Sequence, residues 1–245
     1  MRPVTRLKRL MAGEISLSEN PGRIMRKWRE LFHIPQILLA ESLGISPSVV
    51  SDYESGRRQS PGSRTIKRFV EAIIALDSQN EGQVVNAFQR LMSVEIPTSI
   101  IKDISEFHRA IDAQSFLETL RVDLLTCNDL LTDRVLKGYI VADNSRALQT
   151  LSSEGYLKLF WASTERALVI TNVKTGRSPL LALQSETKPS LLVLHGLEQP
   201  DYLAIELAEK ERMPLGISRI DTEDMMIRRL HSLRCQTEEH EGDPA

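Results

Sequence analysis

Residues 36–55 constrain the fold more than any other stretch, because they carry the spacing of two short helices joined by a tight turn. Residues 36–43 predict the first of these helices, and Gly44 lies where the turn favours a positive φ angle, which glycine adopts without a Cβ clash. Ser46 and Pro47 are typical of the start of the second helix, and Gly56 ends it. Small and apolar residues would join the two helices: Leu39, Ala40, Leu43, Ile45, Val50 and Tyr53. The stretch therefore predicts a helix-turn-helix, whose second helix fits the major groove of DNA.

Helices are also predicted on both sides of this motif. Asn20 and Pro21 are typical of a helix start. The apolar residues that follow share one helical face: Ile24, Trp28, Leu31 and Phe32. After a Ser-Pro-Gly break, an apolar face recurs over residues 66–74. These four predicted helices are called helix one to helix four, and the motif forms helices two and three.

Charge is divided unevenly along the chain. The 245 residues have a net charge of −2, but residues 1–76 hold 13 Lys and Arg against 7 Asp and Glu, which leaves +6 there and −8 in the rest. This asymmetry indicates an N-terminal part that faces nucleic acid, so the acidic total does not exclude DNA binding. No apolar run reaches the roughly 18 residues of a membrane helix, and no secretory signal follows the basic N-terminus. We expect a cytoplasmic protein with no membrane partner.

The N-terminal part resembles a known family. Residues 21–62 look like the lambda-repressor-like, XRE-type DNA-binding domain, in the sequence PGRIMRKWRELFHIPQILLAESLGISPSVVSDYESGRRQSPG. A narrower resemblance, to an archaeal group of predicted transcriptional regulators with a long C-terminal region, lies in AGEISLSENPG and SDYESGRRQSPG. The resemblance implies an all-α domain that binds double-stranded DNA. It assigns no established activity to the C-terminal half.

The resemblance also implies which residues contact DNA. Gln36, at the start of helix two, would contact a phosphate or a base edge, although Pro35 stands before it where the family usually has a hydroxyl residue that can cap the helix. Helix three would read bases with Pro47, Ser48, Ser51 and Asp52, with Val49 beside the DNA backbone, and phosphates would be held by Arg57, Arg58 and Ser60. Further positive charge that faces phosphates would come from some of six basic residues, and the others would be solvated: Arg23, Arg26, Lys27, Arg64, Lys67 and Arg68.

Two carboxylates of helix three are assigned to different faces. Glu54 shares a side with the inward-pointing Val50, and the family pairs this glutamate with a helix-one arginine at the position of Arg29. The prediction is a largely buried Arg29–Glu54 ion pair, and a merely exposed Glu54 is the alternative. Asp52 lies on the groove side, where a carboxylate can accept a hydrogen bond from cytosine N4. A pair with a nearby arginine, or plain exposure, is the alternative for Asp52.

The pattern changes beyond residue 76. Residues 77–83, DSQNEGQ, are polar and predict a linker, and residues 84–131 have helical spacing, as a connector, a dimerisation element or helices packed on the next domain. After that, strand-like runs alternate with helical runs at residues 146–161, 200–212 and 222–233, which is typical of an α/β domain. The strand-like runs are LKGYIVA, ALVITNV, PLLALQ, SLLVLHG and PLGIS, and a hairpin-like NVKTGRS predicts a mixed sheet. The predicted fold class is α + α/β: an all-α lambda-repressor-like domain at residues 1–76, a linker and helical connector at residues 77–131, and an α/β domain at residues 132–245.

The predicted function is that of a sequence-specific transcriptional regulator that binds an operator in DNA as a homodimer, because one such domain covers a single half-site. The C-terminal domain would dimerise and, in one hypothesis, sense a small-molecule effector. Residues 175–178, TGRS, offer a turn that could hold a phosphate, and residues 195–200, HGLEQP, follow a strand where α/β ligand sites often lie; an ordinary turn and an ordinary loop are the alternatives.

Two other functions stay open. One is a DNA-binding coactivator or antitoxin-like protein whose C-terminal domain binds another protein, and the less favoured one is a regulator with an enzymatic C-terminal domain. The sequence contains no P-loop, dinucleotide fingerprint or nucleophile elbow, and its histidines show no metal spacing. We therefore predict no catalytic residues, no cofactor and no metal site.

Overall fold

The structure is a computed structural model that describes residues 3–131, 134–174 and 187–237. It divides into two compact units, Met1–Gln89 and Arg90–Ala245. The boundaries drawn from the sequence at residues 76 and 131 stay a prediction about which parts fold independently. Among the helices of the described ranges, none combines the length and the apolar character needed to cross a membrane.

The first unit is built from helices. They are α1 (Pro3–Leu17), α2 (Pro21–Leu31), α3 (Gln36–Leu43), α4 (Pro47–Glu54), α5 (Ser63–Gln79) and the greater part of α6 (Gln83–Ser93). Helices one to four of the sequence analysis correspond to α2 to α5. The fully buried Trp28 lies near the centre of the apolar core, with its ring centroid 5.4 Å from that of Phe88 and 6.2 Å from that of Phe32.

Helix α1 is not among the predicted helices. Its residues Leu7, Met11 and Ile15 recur every four positions and are fully buried where α1 packs against α2 and α5. Its Glu14 accepts hydrogen bonds from Trp28 Nε1 at 3.1 Å and from Lys27 Nζ at 3.2 Å. Helix α1 is therefore part of the core that supports the helix-turn-helix.

The polar stretch 77–83 contains the end of α5, a turn at residues 80–82 and the first residue of α6. Helix α5 continues to Gln79, and the buried carboxylate of Asp77 accepts hydrogen bonds from the backbone N–H groups of Val84 at 3.1 Å and Val85 at 3.0 Å. The first turn of a helix leaves such N–H groups without intrahelical partners, and a negative charge there also favours the helix dipole. Asp77 thus fixes the start of α6.

The second unit contains a mixed sheet, which within the described ranges has six strands. They are β1 (Ile101–Asp112), β2 (Val122–Leu124), β3 (Val135–Asp143), β4 (Ala167–Thr171), β5 (Leu191–His195) and β6 (Leu215–Ser218). Their order is β1-β3-β4-β5-β6-β2, in which β3 to β6 are parallel neighbours and the two outer strands are antiparallel to theirs. The helices are α7 (Ala113–Thr119), α8 (Asn144–Thr150), α9 (Ser153–Ala162), α10 (Tyr202–Lys210) and α11 (Glu223–Gln236). The predicted α + α/β class with a mixed sheet is confirmed.

Part of the stretch predicted as a helical connector forms strands instead. Residues 101–112 are β1 and residues 122–124 are β2. The apolar residues of β1 recur every three or four positions, which favours a helix on local spacing alone: Ile101, Ile104, Phe107 and Ile111. Antiparallel pairing with β3 overrides that preference. Two register shifts within β1 interrupt the alternation that would mark a strand in the sequence.

Both faces of the parallel strands are buried. Val141, Val169 and Val193 lie in one apolar cluster with side chains of α7 and α11, and the alternate residues Ile140 and Ile170, on the opposite face, are buried as well. Coverage of both faces is typical of parallel sheets.

Three other predictions for the second unit concern residues 146–161, 175–178 and 179–184. The helical run 146–161 is two helices, α8 and α9, separated at Leu151 and Ser152. The predicted strand PLLALQ, residues 179–184, and the TGRS turn, residues 175–178, lie outside the described residues.

Candidate nucleic-acid interface

The turn between α3 and α4 has the geometry that the spacing predicts. Gly44 adopts a left-handed conformation with φ 64°, and the backbone N–H of Ile45 donates to the Ala40 carbonyl at 3.0 Å, which closes the end of α3. Ser46 stands before α4 in an extended conformation, but its side chain makes no cap; its Oγ lies 2.8 Å from Ser48 Oγ. Asn20 before α2 likewise makes no side-chain cap. Backbone geometry and the following prolines, rather than side-chain caps, therefore define both helix starts.

Gly22 is a structural requirement that the sequence analysis missed. At this position α2 crosses α4 so closely that a Cβ atom would lie 1.8 Å from the Tyr53 carbonyl oxygen. A real Cβ does not approach an oxygen to that distance, so only glycine fits without moving a helix. The position thus sets the distance between α2 and the helix proposed to read DNA.

The ion pair predicted from the sequence is present. Arg29 Nε donates to Glu54 Oε1 at 2.6 Å and Arg29 Nη2 donates to Glu54 Oε2 at 2.9 Å. Arg29 Nη1 also donates to the Ile34 carbonyl at 2.9 Å. The side chains of Arg29 and Glu54 are 11 % and 3 % exposed, so the pair is shielded from water. A two-point bond of this kind fixes orientation as well as distance, and it ties α4 to α2.

Gln36 is joined to this ion pair. Its Nε2 donates to Glu54 Oε2 at 2.8 Å, and the side chain is half-buried. Helix α3 begins at Gln36 although Pro35 supplies no side-chain cap. Because Glu54 holds the amide, the residue predicted to contact DNA is positioned by the same carboxylate that fixes α4.

The other residues predicted to contact DNA lie along and after α4. Pro47, Ser48, Arg57, Arg58 and Ser60 are exposed, and Val49, Ser51 and Asp52 are half-exposed. The Asp52 carboxylate is 3.2 Å from Arg57 Nη1, which is the intramolecular pair considered as an alternative for this residue. The Arg58 guanidinium lies 5.6 Å from the centre of the Tyr53 ring, within the range of a cation–π contact.

The six supplementary basic residues divide by their partners. Arg26 pairs with Glu30 at 2.7 Å, Lys27 with Glu14 at 3.2 Å and Lys67 with Glu71 at 3.9 Å. Arg68 donates to the Leu43 carbonyl and so caps the end of α3. Within the described residues, Arg23 and Arg64 are exposed and form no ion pair. These two are therefore the supplementary cations whose charge is most available to phosphates.

The HGLEQP stretch begins at the carboxyl end of β5. His195 is buried, and burial lowers the pKa of its imidazole. Thr171, at the end of the neighbouring β4, is buried too; within the described residues, neither Thr171 Oγ1 nor His195 Nδ1 has a hydrogen-bond partner. Lys102 lies 3.0 Å from Glu223 and 3.5 Å from Asp143, which ends β3. This edge of the sheet therefore gathers polar groups, as the carboxyl ends of parallel strands often do.

Comparison with known proteins identifies the family. The helix-turn-helix family model HTH_3 matches residues 25–73. An uncharacterized HTH-type transcriptional regulator of Methanocaldococcus jannaschii is 37 % identical over 225 residues, which cover 91 % of this chain and 92 % of that protein. Another, of Archaeoglobus fulgidus, is 41 % identical over 213 residues, which cover 86 % and 90 % of the two chains.

A solved structure resembles the chain only weakly. It contains the CBS and DRTGG domains of the regulatory region of Clostridium perfringens pyrophosphatase complexed with its activator, diadenosine tetraphosphate. The match has a TM-score of 0.35 and 20 % identity over 49 % of this chain and 46 % of that chain. On the strength of its two archaeal relatives and its N-terminal motif, the chain belongs to the family of HTH-type transcriptional regulators.

Proposed function

We propose that the chain binds an operator in double-stranded DNA sequence-specifically, with α4 in the major groove. The observation that supports this most is the exposed side of α4, where Pro47 and Ser48 precede the half-exposed Ser51 and Asp52. The first residues of a recognition helix are those that reach base edges in helix-turn-helix complexes. Contacts to the DNA backbone would surround this face of α4, with Val49 beside one DNA strand.

The phosphate contacts would come from residues on both sides of α4. Arg57, Arg58 and Ser60 follow the helix and are exposed. Gln36 enters from the start of α3, with its amide oriented by Glu54. Arginine and amide donors are common partners of phosphate oxygens, and such contacts set the register of a protein on DNA without reading its sequence.

Asp52 would change partner when DNA binds. In the free protein its carboxylate holds Arg57. If Arg57 moves to a phosphate, the carboxylate becomes available to the N4 amino group of a cytosine. Base-substitution footprints of the wild type and Asp52→Ala test this role, with Glu41→Ala, at an exposed position of α3, as the control. An identical base preference for wild type and Asp52→Ala would rule out base reading by Asp52.

The proposed active form is a cytoplasmic homodimer, with the second unit supplying the dimer contact and responding to a small-molecule effector. Two helix-turn-helix domains would then read half-sites one helical turn apart, about 34 Å. No catalytic step is assigned to either unit. Sedimentation equilibrium of the full chain at micromolar concentration tests the dimer, and a mass equal to one chain would contradict it.

Selection of bound fragments from a random genomic library tests the function as a whole. We expect enrichment of a sequence that repeats as two half-sites about 10 base pairs apart. A pool no different from the input would contradict sequence-specific binding. Repeating the selection with Ser48→Arg, which changes the exposed side of α4, should shift the enriched sequence or abolish it.

A further inference from the structure

The first unit contains a cavity of about 140 Å³ bounded by α3, α4 and α5. Its inner wall includes the buried side chains of Leu39, Val50 and Phe69. The exposed Arg58 and Arg68 complete the lining, together with Tyr53 and Thr65. The cavity thus has an apolar interior and a polar edge.

The volume of the cavity suits a small ring or a branched hydrocarbon chain. An apolar cavity of about 150 Å³ inside another protein stays dry and admits benzene. Filling an apolar space of this size recovers dispersion contacts that its lining residues otherwise lack. A body of about six to eight heavy atoms is therefore the size of ligand to expect.

The charge of the lining selects the head group of the ligand. Both charged residues of the lining are arginines, and no carboxylate is among the lining residues. Arg68 is held by the Leu43 carbonyl, whereas Arg58 lies over the Tyr53 ring and, within the described residues, pairs with no acid. Arginine binds a carboxylate through a two-point hydrogen bond, and a cation at this edge would be repelled.

We propose that this cavity binds a small carboxylate with an aromatic or branched aliphatic body. The apolar body would lie against Leu39 and Phe69, and the carboxylate would bond to the Arg58 guanidinium. Arg58 is also a proposed phosphate contact, so the bound ligand would lower the affinity for DNA. Only this effect on DNA rests on the proposed function; the binding of the ligand does not.

The probe is benzoate, and its matched control is benzamide, which has the same ring and no charge. Each is titrated into the full chain carrying ¹³C-labelled methyl groups, with ionic strength held constant by sodium chloride. We expect both to shift the methyl signals of Leu39, Leu43 and Ile45, and benzoate to bind up to about fivefold more tightly, the factor that an exposed ion pair supplies. Shifts confined to other methyl groups, or none at the solubility limit of both probes, would overturn the proposal.

Three substitutions separate the apolar and the charged contributions. Thr65→Leu places a larger side chain in the cavity and should abolish binding of both probes, with folding checked by the retained methyl spectrum. Arg58→Gln should remove the preference for benzoate and leave benzamide binding unchanged. Arg57→Gln, which changes an adjacent arginine outside the lining, should leave both unchanged. An equal loss of benzoate binding in Arg57→Gln and Arg58→Gln would show general electrostatic attraction and contradict the site.

The effect on DNA is measured separately. Fluorescence anisotropy with a selected DNA fragment should show that saturating benzoate weakens the affinity of the wild type for DNA. Arg58→Gln should bind the fragment more weakly than the wild type, because a phosphate contact is lost, and benzoate should not weaken its binding further. If the methyl titration succeeds and DNA affinity does not respond, the cavity binds carboxylates without regulating the protein. If no DNA binding is found at all, the proposed function fails while the ligand site stands.

Discussion

Removal of the Glu54 carboxylate should destabilise the first unit strongly. Glu54→Ala removes the two hydrogen bonds of 2.6 and 2.9 Å that Glu54 accepts from the buried guanidinium of Arg29, and it also releases the amide of Gln36. The guanidinium keeps its bond to the Ile34 carbonyl and a 3.7 Å contact with the exposed Glu30, which does not replace a buried carboxylate. Breaking a buried ion pair by removing one partner costs about 3–5 kcal/mol, since the remaining charge stays desolvated. For a unit of this size, each kcal/mol corresponds to roughly 4–8 °C in melting temperature, so a drop of more than about 12 °C is expected.

The free energy of unfolding of the first unit can be followed by one fluorophore. Trp28 is fully buried there, and the exposed Trp161 belongs to the second unit, so Trp161→Phe removes the unwanted signal. Urea titration of Glu54→Ala in that background is compared with Glu71→Ala. Glu71 forms an exposed pair with Lys67 at 3.9 Å, and its loss should cost less than about 1 kcal/mol.

Two outcomes would refute this account of Glu54. A loss no larger than that of Glu71→Ala would mean that the ion pair does not hold α4 in place. Replacement of both partners by apolar residues, Arg29→Met with Glu54→Leu, should recover most of the stability, because no charge is then left buried. If the double substitution is as unstable as the single one, the loss arises from packing rather than from the unpaired charge.

The remaining predictions concern close packing, a helix start and pH. Gly22→Ala should destabilise the first unit by more than about 2 kcal/mol because its Cβ would clash with the Tyr53 carbonyl. Gly13→Ala, whose Cβ would meet no atom within 4 Å, should stabilise the unit by about 0.5–1 kcal/mol. Urea titrations of both variants measure these changes, and equal effects would contradict the close approach of α2 and α4 at Gly22. Asp77→Ala should cost about 1–2 kcal/mol by removing the cap of α6, measured by the same titration, and no loss would show that the cap is dispensable. Burial lowers the pKa of His195, so below about pH 6.5 the imidazole binds a proton more readily in the unfolded chain than in the folded chain. The free energy of unfolding of the second unit should therefore fall as pH drops below that value, and it should fall less in His195→Gln. An unchanged pH dependence in His195→Gln would contradict this assignment.

Local patterns predicted the first unit well because its contacts follow from local spacing. The positions of Gly44 and of the apolar residues between α3 and α4 define the turn on their own, and the partner of Glu54 followed from a family resemblance. Gly22 could not be predicted this way. Its requirement arises where two helices from different parts of the sequence cross, and glycine in a helix has no local signature of such a contact.

Local patterns were less informative about β1, residues 77–83 and α1. The apolar residues of β1 have helical spacing, yet the segment pairs with β3, some 30 residues away, and register shifts hide its alternation. Asp77 made its segment look like a linker, because a helix-capping carboxylate and a loop carboxylate are identical in sequence. Helix α1 is different, because Leu7, Met11 and Ile15 recur every four positions and local spacing alone would have predicted it.

The ratio of two dissociation constants shows whether α4 reads the sequence of DNA. The full chain is titrated at fixed salt against the selected operator and against a scrambled fragment of the same length and composition. Specific binding typically exceeds non-specific binding by about 10³ or more, so we expect a ratio of at least that size, and a fall in affinity with rising salt for both fragments. Equal dissociation constants for the two fragments would contradict sequence reading by α4.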